Sequence, residues 1–327
     1  MRYSDKVYDT VKATYAARRK RAEDELMARR KALFAQSPEL RELDKKIRQT
    51  ASSVVEVILK GGRNGKQIDA IRQEVITLKA KRTVLLKALG ETPDALDIRY
   101  VCPKCSDTGY IDGKPCACLD AELKETAFRL SQLGASLSDE KFSNFKLSYY
   151  ADESESGPTP RTIMKKNFEY CKSYAQNFGK GSVSLFMTGG VGLGKTHLAS
   201  AIANELIANS FSVKYSTAPE IFDALEKDHF GRHVEEEDID LVSPDLLIID
   251  DLGSEFVSSF TVSALFSILN SRIIAKKPTV ITTNLSPRDF EAQYGDKIYS
   301  RIAGEFMILN FKGQDIRALK RKESVSR

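Results

Sequence analysis

The sequence predicts an α/β fold in its C-terminal half, a parallel sheet sandwiched by helices, behind a mainly helical N-terminal region. Three observations carry this reading. From Arg161 onward, short apolar runs alternate with helical patterns. A glycine-rich loop joins one of those runs to a helix. Before about residue 90 the chain is dense in Ala, Arg, Lys and Glu.

The N-terminal elements follow in order. Residues 5–36 have no internal Pro or Gly and read as one helix. Ser37-Pro38 is a helix start, a capping hydroxyl before proline at the first helical position. That second helix runs to about Lys60, where Gly61-Gly62 breaks it. A third covers about Lys66 to Leu89, with Ile68, Ile71, Val75, Leu78, Leu85 and Leu89 near helical spacing. Gly90 and Pro93 end it. Residues 100–119 are short, Gly-containing and Cys-rich, and Asp112-Gly113 signals a tight hairpin. A short amphipathic helix is expected from Asp120 to Leu133. Tyr149 to Pro160 is polar with Pro and Gly and reads as a linker. The expected organisation is a helical region 1–99, a cysteine-bearing segment with connecting helix 100–148, a linker 149–160 and an α/β domain 161–327.

Five strands are expected in that last domain: Ser184–Thr188, Ser212–Ser216, Asp245–Asp250, Thr279–Thr283 and Phe306–Phe311. Helical patterns separate most of them, which implies parallel pairing. Glu235-Glu236-Glu237-Asp238 reads as an exposed loop or helix start.

Composition sets outer bounds. The chain has 327 residues, enough for two or three domains. No apolar run approaches the ~18 residues of a membrane span, so no membrane partner is expected. The start, Met1-Arg2-Tyr3-Ser4-Asp5-Lys6-Val7, lacks the apolar segment of a secretory signal. A cytoplasmic protein is the expectation. Residues 1–90 hold 22 Lys and Arg against 11 Asp and Glu, a local excess of +11. The remainder carries −6 of the net +5. A basic front end fits an anionic partner, nucleic acid or an acidic protein surface, and equally a solvated helical face.

The chemistry is concentrated after the first C-terminal strand. Gly189-Gly190-Val191-Gly192-Leu193-Gly194-Lys195-Thr196 matches G-x-x-x-x-G-K-[ST] in full and opens a helix at His197. The glycines let backbone N–H groups curl around phosphates. Lys195 brings a point charge to the β- and γ-phosphates, and the Thr196 hydroxyl suits Mg²⁺. ATP and Mg²⁺ are therefore the expected ligands, over Gly189 to His197. Asp250-Asp251 closes an apolar strand, where ligands bind in such sheets. Asp250 is placed to help hold Mg²⁺ and Asp251 to act as general base, with Glu255 an alternative base. Asn284, at the end of the next strand, can bond the γ-phosphate or the water. Arg301 and Arg317, taken alone, read as surface salt-bridge residues.

Residues 160–320 resemble the AAA+ ATPases of the DnaC/DnaI helicase-loader group and the related IstB-type transposition helpers. The shared strings are Gly-Lys-Thr-His-Leu-Ala at 194–199, Ile-Ile-Asp-Asp-Leu-Gly at 248–253, Thr-Thr-Asn-Leu-Ser at 282–286 and Ser-Arg-Ile at 300–302. The resemblance covers about half the chain. It implies a five-stranded AAA+ P-loop core. It implies that Asn284 is sensor 1, that Arg301 is an arginine finger reaching a neighbouring subunit's nucleotide, and that Arg317 is sensor 2. A finger acting in trans implies assembly into a ring or spiral.

Cys102-Pro-Lys-Cys105 and Cys116-Ala-Cys118 put four thiols in 17 residues. Four soft ligands close a tetrahedral Zn²⁺ shell. Paired disulfides, an iron–sulfur cluster and free thiols are the alternatives. Cys102-Pro-Lys-Cys-Ser-Asp-Thr-Gly-Tyr-Ile also resembles the zinc-bearing N-terminal region of the DnaI-like loaders. Cys171 reads as a packed core thiol. Together the resemblances imply a loader that grips a hexameric DnaB-type replicative helicase through its N-terminal domain and places it on single-stranded DNA, with weak, assembly-dependent ATP hydrolysis. The alternative is an IstB-type helper binding duplex DNA and a transposase. Candidate DNA contacts are the basic N-terminal helices and the stretch Tyr215 to Phe222.

Overall fold

The protein is described here from a computed structural model covering residues 3–59, 65–133, 135–154, 157–231 and 239–325. The expected breaks at Gly61-Gly62 and the acidic run Glu235 to Asp238 lie outside these described residues. The chain divides into two compact units, one of Lys12–Leu119 and one of Met1–Val11 with Asp120–Arg327.

Three helices dominate the first unit: α1 (Asp5–Gln36), α2 (Pro38–Leu59) and α3 (Gly65–Ala88). Ser37 caps α2, its hydroxyl accepting from the Leu40 N–H at 3.2 Å. Leu33, Leu40, Leu86, Ala95 and Leu96 form a small core. Buried Asp44 sits 2.8 Å from Arg48 and 3.7 Å from Arg82, and Arg82 also reaches Asp97 at 3.3 Å. The hairpin is β1 (Tyr110–Ile111) against β2 (Lys114–Pro115), turned at Asp112-Gly113 as the sequence predicts. Helix α4 (Ala117–Leu130) starts three residues earlier than expected, since its first turn continues directly from Cys116.

The second unit is the expected α/β core. Its strands are β3 (Ser184–Thr188), β4 (Val213–Thr217), β5 (Leu246–Leu252), β6 (Thr279–Thr283) and β7 (Phe306–Asn310). They pair in the order β4-β5-β6-β3-β7, every pair parallel. This is the five-stranded parallel sheet that the sequence predicts. β3 and β6 are buried at every position, which explains their unbroken apolar and β-branched runs. Around the sheet lie α5 (Ala135–Ser138), α6 (Pro160–Gln176), α7 (Lys195–Ala208), α8 (Ala218–His229), α9 (Ser259–Ile274), α10 (Pro287–Tyr294), α11 (Asp296–Glu305) and α12 (Ile316–Val325). Phe186, Leu247, Ile249, Leu265, Ile281 and Phe290 centre the larger core. Among the described residues no helix is long and apolar enough to cross a membrane.

Two features depart from the sequence reading. The stretch read as a linker does not leave the domain at once: Tyr150 is buried and its hydroxyl donates to the Leu193 carbonyl at 2.9 Å. The stretch proposed for DNA contact is mostly interior. Tyr215, Ala218, Ile221 and Phe222 are all buried, because β4 and the first turns of α8 cover one end of the sheet.

Arg272 of α9 is 0% exposed. Its guanidinium donates to the carbonyls of Leu241, Val242, Pro244 and Pro278 and to the Thr279 hydroxyl, at 2.6–3.2 Å. It thereby ties the entries of β5 and β6. Burial lowers its pKa to about 10, opposed by the Asp245 carboxylate, so it stays charged at neutral pH. Removing it strands the buried carbonyls of Leu241, Pro244 and Pro278. Arg272→Met should lower unfolding free energy by about 3 kcal/mol in urea denaturation; a loss under about 1 kcal/mol would contradict this role.

Candidate functional site

The C-terminal ends of β3, β5 and β6 open into a cleft of about 440 Å³. Its lining includes Val191 to His197, Asp250, Asp251, Thr282, Asn284 and Arg317. The phosphate-type loop runs from the end of β3 into α7, with Lys195 at the first helical position. Gly192 and Gly194 have φ of +72° and +86°, conformations that side chains disfavour. A Cβ on Gly192 would land on the Asp315 carboxylate, and one on Gly194 would lie 2.9 Å from the Tyr150 hydroxyl.

Lys195 is only 6% exposed. Its ammonium donates to the carbonyls of Gly189 and Gly190, each at 2.7 Å, and to Asn284 Oδ1 at 2.6 Å. Burial lowers its pKa to about 8, opposed by the Asp251 and Asp250 carboxylates and reinforced by Arg317. Asn284 then donates through Nδ2 to Asp251 Oδ1 at 2.7 Å. So Lys195, Asn284 and Asp251 form one chain of hydrogen bonds across three strand ends.

Asp250 is held differently. Its Oδ1 accepts from the hydroxyls of Thr196 at 3.1 Å and Thr282 at 2.6 Å, and its Oδ2 accepts from Tyr215 at 2.8 Å. The carboxylate and the Thr196 hydroxyl are both hard oxygen donors, a set that suits Mg²⁺. Asp251 has φ +58°, at a register break between Ile249 and Leu252. Its backbone N–H donates to Thr282 Oγ1 at 2.9 Å. The bulge turns adjacent carboxylates to different partners.

Of the other residues singled out in the sequence, His197 and Arg317 line the cleft and Glu255 and Arg301 do not. Glu255 is not part of the lining; its carboxylate accepts from the Gly253 N–H at 2.8 Å and from the Tyr294 hydroxyl. His197 lines the cleft, but Nε2 contacts the Lys141 carbonyl at 2.9 Å and Nδ1 pairs with Glu140. Arg317 lines the cleft near the start of α12, whose Ile316 N–H donates to the Gly192 carbonyl at 3.0 Å. Arg301 is not part of the lining; its guanidinium lies 6.0 Å from the Phe266 ring centroid. Cys171 is fully buried, as expected, and burial pushes its thiol up to about 12.

The sequence reading missed one wall. Leu137, Asn144, Phe145, Tyr149 and Tyr150 also line the cleft. Phe145 stacks on Tyr150 and on Phe168 at centroid distances of 5.8 and 5.4 Å. The available signal was a run of aromatics, Phe142, Phe145, Tyr149 and Tyr150, inside a polar stretch.

In the first unit the four cysteine sulfurs lie within 4.8 Å of one another. Cys102 and Cys116 are 3.9 Å apart, Cys105 and Cys118 3.4 Å, and all are free thiols. A tetrahedron of sulfurs about 2.3 Å from zinc has edges of roughly 3.8 Å, so the donor set fits that ion. Buried Asp107 steadies the first pair, its carboxylate accepting from the Val101 and Cys102 N–H groups at 2.9 and 2.7 Å. Tyr15 donates to Cys118 at 3.2 Å.

Residues 172–324 match the family described as IstB-like ATP binding protein. The replicative helicase loader DnaC of Buchnera aphidicola subsp. Baizongia pistaciae is 33% identical over 45% of this chain and 61% of its own length. That of Escherichia coli K12 is 30% identical over 40% of this chain and 54% of its own. A crystal structure of DnaI aligns with TM-score 0.45 and 22% identity, over 56% of this chain and 94% of that one. The chain thus spans a little over half the length of the curated relatives it matches. The resemblance to the DnaC/DnaI and IstB-like ATPases holds over the C-terminal half.

Gly192 and Gly304 make a matched test of the loop. Gly304, in α11, has open space where a Cβ would sit. Gly192→Ala should cost more than about 1 kcal/mol in urea unfolding, while Gly304→Ala should stabilise by about 0.5 kcal/mol. Equal effects would contradict the strained loop.

Proposed function

We propose that this chain is an ATP-dependent helicase loader. It binds a hexameric DnaB-type replicative helicase through its N-terminal unit and helps place it on single-stranded DNA, with ATP as the switch. The observation that carries the reading is the cleft in which Lys195, Thr196, Asp250, Asp251 and Asn284 converge. Its sequence relatives are replicative helicase loaders.

The roles follow from the chemistry. Backbone N–H groups from Gly189 to Thr196 receive the phosphates at the start of α7, where the helix dipole favours anions. Lys195 exchanges its carbonyl and Asn284 partners for phosphate oxygens. Thr196 and Asp250 hold Mg²⁺, which when bound screens charge on the phosphates. Release of Asn284 from Lys195 frees it to orient the attacking water. Asp251 accepts that water's proton. Arg317 faces the phosphates from α12. The aromatic wall at Phe145 and Tyr150 bounds the rest of the nucleotide. Hydrolysis in the isolated chain is weak, because Arg301 lies outside its own cleft and serves a neighbouring subunit in an ATP-dependent oligomer or spiral. Arg301→Ala should bind ATP as the wild type does, yet lose the rise in turnover with protein concentration, by roughly 10³-fold at saturation. Unchanged turnover at high concentration would remove Arg301 from the reaction.

The four cysteines hold a structural Zn²⁺, which supplies the closed shell that a small segment without its own core needs. Elemental analysis of the purified chain should find one zinc per molecule, lost in Cys105→Ser together with cooperative unfolding of this segment. A fully folded, metal-free protein would refute the site.

Phe230 is exposed, and the His229 ring lies 5.3 Å from it and 5.2 Å from Phe260. Exposed aromatics of this kind suit stacking on single-stranded bases. This supports DNA contact at that face in place of Tyr215 to Phe222.

The direct test is capture. The full chain, immobilised, should retain a DnaB-type hexamer from its own cell. Retention of a transposase and no helicase would favour the IstB-type transposition reading and overturn this one.

A further inference from the structure

The carboxylate of Asp250 is 5% exposed and both of its oxygens are committed. Two donors on Oδ1, Thr196 and Thr282, belong to the loop and to β6. Among the described residues one hydroxyl reaches Oδ2, that of Tyr215 at 2.8 Å. Tyr215 sits on β4, paired in register with Ile248 of β5, two positions before Asp250. It is 2% exposed. The Ser200 hydroxyl of α7 donates to the same phenol oxygen at 3.4 Å. That bond occupies an acceptor position on the phenol and leaves its own hydrogen for the carboxylate.

A carboxylate tied at one oxygen can still turn about its last bond. Tied at both, it presents a fixed edge. Thr196 cannot be the lasting anchor, because the same hydroxyl is expected to face the metal once nucleotide binds. Thr282 and Tyr215 then remain, one on each oxygen. Partners of this kind fix ligand orientation and are commonly worth 10–100-fold in metal affinity.

We propose that Tyr215 is a positioning residue for magnesium, holding Asp250 Oδ2 so that Oδ1 faces the loop hydroxyl. This rests on the reading of Asp250 as the magnesium carboxylate. The phenol suits the task. A tyrosine hydroxyl carries its proton at neutral pH and can donate it to a carboxylate. No sequence motif marks it. Tyr215 lies on a strand outside the loop and the acidic pair, and only the register of β4 on β5 brings it to Asp250.

The test uses the full chain and a fluorescent ATP analogue, bound first in EDTA and then titrated with Mg²⁺. Tyr215→Phe should bind the analogue within twofold of wild type in EDTA. The Mg²⁺ concentration for half-maximal enhancement should rise about tenfold or more. Asp250→Asn serves as reference and should shift at least as far. If Asp250→Asn shifts and Tyr215→Phe stays within twofold of wild type, the positioning role is wrong while the magnesium site stands. If neither shifts, the magnesium reading of Asp250 falls as well, and this proposal with it. A purely structural role would lower stability and EDTA binding together without moving the Mg²⁺ midpoint, which also overturns the proposal. Should Tyr215→Phe fail to fold, 3-fluorotyrosine at position 215 gives a second readout. Its ¹⁹F resonance should shift when Mg²⁺ joins the nucleotide complex, and a stationary resonance would overturn the proposal.

Discussion

A nearly buried ammonium governs the C-terminal unit. Lys195 enters a cleft where its charge is expensive to desolvate, and burial draws its pKa down to about 8. The fold keeps it charged at neutral pH by surrounding it with oxygen: two loop carbonyls, the Asn284 amide and the nearby carboxylates of Asp250 and Asp251. Those groups come from different strands. They meet only because β6 lies between β5 and β3, with all three running in the same direction. A sheet with another strand order would leave the ammonium only its two loop carbonyls. If the cleft takes ATP as proposed, phosphate oxygens would replace these partners, and nucleotide binding would be a rearrangement of hydrogen bonds.

Much of this was legible in the chain. The loop from Gly189 to Thr196 is a contiguous pattern, and a contiguous pattern with its flanking strand and helix carries its own geometry. The strands were legible for the same reason: buried on both faces, β3 and β6 show no alternation to confuse them with surface strands. What escaped was everything set by register or by packing between distant segments. Tyr215 meets Asp250 across a strand pair, and Tyr150 reaches Leu193 over 43 positions. The polar residues around Tyr150 made it look like linker, since composition reports solvent exposure on average and not the one side chain that turns inward. Glu255 likewise meets a distant partner, the Tyr294 hydroxyl, that its own neighbourhood in the sequence does not announce.

The N-terminal unit solves a different problem. Its apolar core is small, with Leu33, Leu40, Leu86, Ala95 and Leu96 as the buried members of one cluster. Polar devices supplement it. Arg82 bridges Asp44 and Asp97, and Arg29 and Arg30 donate to carbonyls of the 95–97 segment. The cysteine knuckles add a site for a metal staple, built on left-handed backbone at Ser106 and Asp107 and braced by the Asp107 carboxylate.

The proposed ATP site at the end of β3 depends on Lys195. Calorimetric titration of Mg-ATP into the full chain, with Lys195→Ala measured beside the wild type, puts this to the test. One ATP bound per wild-type chain, and at least a 100-fold weaker affinity in a Lys195→Ala protein of unchanged thermal stability, is the result this account predicts. ATP binding of equal affinity in the two proteins, or none in the wild type, would contradict it.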